Sequence, residues 1–121
     1  MSNWIEAAEA ALMDINKSTK VPYDSIQFEG SGKQLPDGYI VYFLVSNPSG
    51  LHTDNKERSS MPRIQVSFFF RKKSLLPSMM DTIKNTFPKY GFTRAGESPI
   101  PYQKDTGHYG WRCDFNYYEK R

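Results

Sequence analysis

Cysteine and histidine are scarce in this sequence, and long apolar runs are missing. Its 121 residues include one cysteine, Cys113, and two histidines, His52 and His108. A lone cysteine excludes an internal disulfide and a cysteine-based zinc site. No apolar stretch approaches the roughly 20 residues that a transmembrane helix needs. The first ten residues, MSNWIEAAEA, lack a basic region followed by an apolar core, so we expect no signal peptide and synthesis in a reducing cytoplasm.

Familiar catalytic and phosphate-binding motifs are also missing. The sequence contains no HExxH, GxSxG, Walker A or GxGxxG pattern. Residues 30–33, GSGK, resemble a phosphate loop only superficially, because no buried strand precedes them and no helix follows. Asp105 and His108 are spaced to pair, but such a pair is a common loop contact. We therefore predict a non-enzyme that uses no cofactor and no metal.

Charge is mild and aromatic content is high. The formal net charge is +3, which permits contact with nucleic acid but does not indicate it, because nucleic-acid readers usually concentrate their charge. Eight tyrosines and eight phenylalanines bring the aromatic fraction to 15% with the tryptophans. A small core cannot hide so much ring area, so we expect some rings at an interface.

Residues 61–71, MPRIQVSFFFR, give the clearest strand signal. Apolar side chains alternate there with a second set, which is the period of two that places one set on a core face. The core set is Ile64, Val66, Phe68 and Phe70. A helix is predicted from Ser74, with Pro77 in its first turn, to Phe87, where Pro88 stops it.

The remaining elements complete an α+β prediction. An amphipathic helix is expected from Asn3 to near Asn16–Lys17, with core packing favoured over partner binding for its apolar face. The other predicted elements are a weak strand over 21–28, a hairpin loop near 30–38, strands over 39–45, 92–97 and 108–118, and a loop over 98–107. We predict one domain, 1–121: a mostly antiparallel sheet of four to five strands with two helices on one face, in the order α-β-β-β-α-β-β.

Two features of this plan favour contact with other molecules. The strand over 39–45, YIVYFLV, is apolar on both faces, so its second face is covered either within the monomer or by a neighbouring subunit. Residues 46–60 form a long loop without periodicity, and such loops are usually functional or disordered. We interpret this loop as an arm that orders against a partner, with a solvated loop as the alternative.

Three features of the sequence together resemble one protein family. They are the order of elements, the strand–helix unit IQVSFFFRKKSLLPSMMDTIKNTF and the aromatic final strand ending YGWRCDFNYYEKR. The family is the tail-completion proteins of long-tailed phages, also called tail terminators or tail-to-head joining proteins. The resemblance spans the chain and includes the N-terminal amphipathic helix. It rests on shared pattern more than on invariant residues.

The resemblance implies a structural virion protein made in the bacterial host cytoplasm and located at the head-proximal end of the tail. Such proteins form a ring, expected to be a hexamer, that caps the tail tube and stops its polymerisation. Their partners are the tube protein and a head-completion or connector protein, and DNA passes through the channel without sequence recognition. No membrane partner is implied.

Candidate site residues follow from this expectation. We predict contacts with a neighbouring subunit or the tube for residues expected outside the core face or in the arm: Tyr42, Leu44, His52, Lys56, Arg58 and Phe69. Channel-facing basic residues are expected at Arg71, Lys72 and Lys73.

Two alternatives remain open. The first is another head–tail connector component, a stopper or adaptor, which would be richer in β structure. The second is a small nucleic-acid-binding α+β domain, which stacks bases on exposed sheet aromatics. Phe69, Tyr42 and Tyr118 are the candidates for stacking, although no stretch matches the RNA-recognition signature and the element order differs.

Overall fold

The computed structural model of the protein describes residues 4–25, 35–46 and 62–117. These residues form two α-helices and one five-stranded sheet, so the predicted α+β class and order of elements are confirmed. The elements are α1 (Trp4–Thr19), β1 (Tyr23–Ser25), β2 (Gly38–Ser46), β3 (Arg63–Phe70), α2 (Leu76–Thr86), β4 (Phe92–Gln103) and β5 (His108–Tyr117). Short 3-10 turns, Lys73–Leu75 and Phe87–Tyr90, flank α2.

The sheet has the strand order β1-β2-β3-β5-β4 and is antiparallel except at one edge. There β1 runs parallel to β2, with Tyr23 opposite Ile40. The hairpin predicted near 30–38 is therefore wrong, because parallel neighbours need a crossover connection rather than a tight turn. The Ile40 N–H donates to the Pro22 carbonyl at 2.9 Å and fixes the register.

Both helices pack on one face of the sheet and bury a single main core. The buried side of α1 consists of Ala7, Ala8, Ala11, Leu12 and Ile15. These small and branched residues let the helix approach the strands closely, so core packing of the first helix is confirmed for Ala8, Ala11, Leu12 and Ile15. Ile5, which the same apolar pattern included, is 47% exposed. In α2 the corresponding residues are Met79 and Ile83. Each large apolar side chain buried in this way contributes about 1.5–3 kcal/mol of transfer free energy.

The first helix ends at Thr19, slightly beyond the predicted end near Asn16–Lys17. Lys20 adopts a left-handed conformation with a φ of 64°, which turns the chain out of the helix. The Asn16 side-chain amide then donates to the Val21 carbonyl at 2.9 Å. At the helix end itself, the Lys20 N–H donates to the Asn16 carbonyl and the Thr19 hydroxyl donates to the Ile15 carbonyl, both at 2.8 Å.

The fourth strand is twice as long as predicted. We expected a strand over 92–97 and a loop over 98–107, but β4 continues to Gln103 and only residues 104–107 form a turn. Pro99 and Pro101 are tolerated because β4 is an edge strand, where a missing N–H need not break a ladder. Irregularities in the pairing with β5 fall between Arg94 and Gly96 and between Ile100 and Gln103.

A second, smaller cluster covers part of the opposite face. Tyr39, Val41 and Phe69 are all less than 10% exposed there, with Leu35 and Ile100 packed against them. The Tyr39 and Phe69 rings stack with their centroids 4.9 Å apart. Gly110 makes room for Phe69, since a Cβ at this glycine would lie 2.8 Å from the ring. The strand over 39–45 was expected to have its second apolar face covered either within the monomer or by a neighbouring subunit. For Tyr39 and Val41 on that face, the cover comes from within the single chain.

Candidate interaction surfaces

An open apolar groove lies where the start of α1 meets the β1 edge of the sheet. Its volume is about 660 Å³, and we call it the α1–β2 groove. It is lined by Trp4, Ile5, Glu9, Ser25, Tyr42, Phe43 and Leu44. Ile5 is 47% exposed and Leu44 is 38% exposed, so large apolar side chains meet solvent here. Apolar patches of this kind mark binding surfaces more often than scattered single residues do.

A polar contact lies at the base of this groove. The Tyr42 hydroxyl donates to the Glu9 carboxylate at 2.7 Å and joins β2 to α1. Desolvation by burial raises the pKa of Tyr42 well above its usual value, and the Glu9 hydrogen bond and the negative charges of Glu9 and Asp24 raise it further. The groove therefore combines apolar walls with negative potential.

We expect Tyr42→Phe to lower the free energy of unfolding by about 1–2 kcal/mol, because a buried hydrogen bond to a charged group is lost. Urea denaturation followed by circular dichroism measures the change. Tyr90→Phe is the matched control, because its hydroxyl donates to Asp14 at 3.0 Å in a more accessible position and a smaller loss is expected. If both variants lose the same free energy of unfolding, burial does not strengthen the hydrogen bond of Tyr42 and the prediction is wrong.

A basic aromatic surface lies at the opposite edge of the sheet, where β4 turns into β5. Tyr102 is 50% exposed, and its ring packs on Tyr109 with centroids 4.7 Å apart. The Lys73 ammonium lies 6.0 Å from the centre of the Tyr109 ring, within the range of a cation–π contact. Lys72, which precedes Lys73 in the chain, and Lys104, which follows Tyr102 by two residues, are both exposed. These five residues are called the lysine–tyrosine surface.

The predicted basic run divides into one structural residue and two exposed ones. Arg71 joins the chain before β2 to the β4–β5 turn, since its guanidinium pairs with Asp37 at 2.8 Å and donates to the Thr106 carbonyl at 3.0 Å. Lys72 and Lys73 are exposed and can meet an anionic partner. Contact of this run with DNA remains a prediction.

The structure places the predicted interface residues on two faces rather than one. Phe69 lies opposite the helices as predicted, but it is only 9% exposed because the single chain already buries it. Tyr42 and Leu44 were expected outside the core face. Tyr42 instead belongs to the main core, and both residues line the α1–β2 groove. His52, Lys56 and Arg58 lie outside the described residues, as does Tyr118.

His108 and Cys113, the histidine and the cysteine in the described part of the chain, are both buried. His108 is fully buried; its Nε2–H donates to the Pro36 carbonyl at 2.8 Å, and its Nδ1 forms a hydrogen bond with the Thr106 hydroxyl at 2.7 Å. Cys113 is buried in the main core. Within 4–25, 35–46 and 62–117, no group of three His, Cys, Asp or Glu residues is arranged to hold a metal ion.

Cys113 is expected to stay unreactive in the folded protein. Burial, followed by the negative charge of Glu97, raises the pKa of its thiol to about 11. About one thiol in a thousand is then ionised at pH 8. A raised pKa also means that the folded state loses stability relative to the unfolded state as the pH rises from about 9 to 11.

Ellman's reagent at pH 8 tests this prediction: the thiol should react slowly in buffer and rapidly in urea. Rapid reaction in buffer, with an unchanged circular dichroism spectrum, would contradict the burial of Cys113.

Comparison with models of known protein families gave no match, and comparison with curated protein sequences gave none either. Among the helices that the structure describes, none has the length and apolar character needed to cross a membrane. The assignment of a function therefore depends on the surfaces described above and on the resemblance in element order.

Proposed function

We propose that this chain is a structural phage virion protein that caps the tail tube as a ring. In this role it terminates tube polymerisation and joins the tail to the head connector. The proposal is supported by the resemblance of the sequence to tail-completion proteins. That resemblance was based in part on the α-β-β-β-α-β-β order predicted from the sequence, and the folded chain has this order.

The observation that carries the proposal is that the sheet has two unlike edges. Within the described ranges, neither β1 nor β4 pairs with a further strand on its outer side. The β1 edge has an apolar groove lined also by the Glu9 carboxylate. The β4 edge has the exposed Tyr102, with Lys104 in the turn that follows and Lys73 beside the neighbouring Tyr109 ring. Two different surfaces on one subunit favour a head-to-tail contact, which generates rings when the rotation closes.

The proposed role assigns the remaining surfaces to assembly rather than to catalysis. The ring is expected to have about six subunits by the family resemblance, with the tube protein on one side and a head-completion protein on the other. DNA passes through its channel without sequence recognition. Phe69, Lys72 and Lys73 are retained as proposed contacts with a subunit, the tube or DNA, and the proposed location is the head-proximal end of the virion tail.

Electron microscopy of tail tubes grown in the presence of this protein tests the proposal. Tubes should stop growing, and a ring of extra density should appear at one end only. The protein heated to unfold it is the control for non-specific effects. Tubes that grow to the same length with and without the folded protein, and that carry no end density, would contradict the proposal.

A second candidate function is favoured by the lysine–tyrosine surface. Exposed tyrosine rings beside lysines are typical of proteins that stack bases and neutralise phosphates. A nucleic-acid-binding role predicts affinity for single-stranded oligonucleotides that falls steeply as the salt concentration rises. The rings placed on this surface are Tyr102 and Tyr109, rather than the Phe69, Tyr42 and Tyr118 that the sequence suggested.

A further inference from the structure

We infer that copies of this chain associate head to tail, with Tyr102 of one copy seated in the α1–β2 groove of the next. The occupant of the groove is thus a second copy of this chain. The inference rests on the proposed ring and deepens it, because it names the two surfaces that meet.

Shape and polarity match the groove to this side chain. The walls include the aromatic ring of Trp4 and the aliphatic side chains of Ile5 and Leu44, and a space of about 660 Å³ is ample for one large side chain. Of the large hydrophobic side chains that are exposed in the described residues, Tyr102 is the aromatic one. Interfaces are commonly anchored by a tyrosine that inserts its ring into an apolar pocket and leaves its hydroxyl near a polar partner.

Charge also matches the two surfaces. Glu9 lines the groove, and its carboxylate accepts a hydrogen bond from the Tyr42 hydroxyl at 2.7 Å. The lysine–tyrosine surface includes three exposed lysines, and the exposed carboxylate of Asp105 follows it in the chain. The carboxylate of Asp37, near the same turn, is already paired with Arg71. Seating Tyr102 in the groove brings the lysines toward the carboxylate of Glu9. Complementary potentials of this kind orient two partners and speed their encounter.

The positions of the two surfaces determine the type of assembly. The groove lies at the β1 edge, near the end of β2, whereas Tyr102 lies at the β4 edge, near the strand end where Phe70 pairs with Tyr109. Because the two surfaces lie at opposite edges of one sheet, a contact between the β4 edge of one copy and the groove of the next leaves each copy with a free site of each kind.

Site-directed cross-linking tests this contact. Ser25→Cys introduces a thiol at the rim of the groove, and Pro101→Cys introduces one beside Tyr102 without removing it. The native Cys113 is buried and does not compete. The two variants are mixed, alone and on tail tubes, and treated with a short bismaleimide. A covalent dimer is expected in the mixture and not in either variant by itself.

The control pairs Ser25→Cys with Thr93→Cys, which is also exposed on β4 but lies at its other end. This pair should not cross-link. Cross-linking of Ser25→Cys or Pro101→Cys to itself would indicate a two-fold contact and overturn the inference. If sedimentation shows an oligomer but the mixed variants give no covalent dimer, the inferred contact is wrong, while the proposed ring is not contradicted. A protein that stays monomeric with tubes would contradict both.

A substitution gives an independent measure of the contact. Tyr102→Ala should raise the protein concentration needed for half-maximal assembly about tenfold or more, because an interface anchor is removed. Leu75→Ala, which removes another exposed apolar side chain, should leave the concentration for half-maximal assembly unchanged. If Tyr102→Ala weakens oligonucleotide binding and leaves assembly unchanged, the lysine–tyrosine surface serves nucleic acid and the inference is wrong.

Discussion

Replacing Phe115 with alanine is expected to lower the free energy of unfolding by about 3–5 kcal/mol. The Phe115 ring is fully buried and stacks on Phe87, with centroids 4.8 Å apart and planes 12° from parallel. The edge of Phe92 completes the cluster at 6.2 Å. Truncation removes these contacts and leaves a cavity under α2 that a rigid sheet cannot collapse to fill.

Urea denaturation of Phe115→Ala and the unsubstituted protein measures this loss. Tyr102→Ala is the control, since its ring is half exposed and its removal should change the free energy of unfolding by less than about 1 kcal/mol. A loss of less than about 1 kcal/mol in Phe115→Ala would contradict the placement of this ring in the core.

Replacing His108 with alanine is expected to lower the free energy of unfolding by about 2–4 kcal/mol. The ring is fully buried and joins the β4–β5 turn to the chain before β2 through its contacts with Thr106 and Pro36. The Tyr39 ring also packs against it, with centroids 5.1 Å apart. The substitution leaves the Pro36 carbonyl without its donor and opens a cavity beside Tyr39.

A conservative variant separates the hydrogen bond from the packing. His108→Gln keeps a side-chain amide that reaches the Pro36 carbonyl, so it should recover part of the stability that His108→Ala loses. Thermal and urea unfolding of the two variants provide the comparison. The importance of this bond would be contradicted if glutamine and alanine destabilised the protein equally.

Much of the fold was predictable where side chains alternate or repeat at helical spacing. Residues 61–71 contain the β3 strand, Arg63–Phe70, because Ile64, Val66 and Phe68 must share the buried face. The first helix was predictable from its apolar stripe for the same reason. Patterns of this kind reflect burial directly, and burial is the dominant force in folding.

The errors occurred where local signals and tertiary position disagree. Pro99 and Pro101 suggested a loop, but an edge strand accepts proline because its outer N–H groups need no partner in the sheet. The direction of β1 was missed because a three-residue strand has no periodicity from which to infer its neighbour. Spacing alone also could not separate a loop histidine from the buried His108.

The candidate surfaces were less predictable than the fold. The α1–β2 groove combines Trp4 and Ile5 with Leu44, which are far apart in sequence and adjacent only after folding. The sequence signal that was available was the surplus of rings, which indicated interfaces without locating them. Tyr102 lay in a segment that was predicted as loop, so its position on an edge strand emerged only from the structure.

The mass of the purified protein in solution, alone and then with assembled tail tubes, tests the central claim most directly. The ring proposal predicts a closed oligomer of about six subunits, either in free solution or only on the tubes. A protein that remains monomeric, ignores the tubes and shifts its mass only when an oligonucleotide is added would contradict the proposed ring and favour nucleic-acid binding.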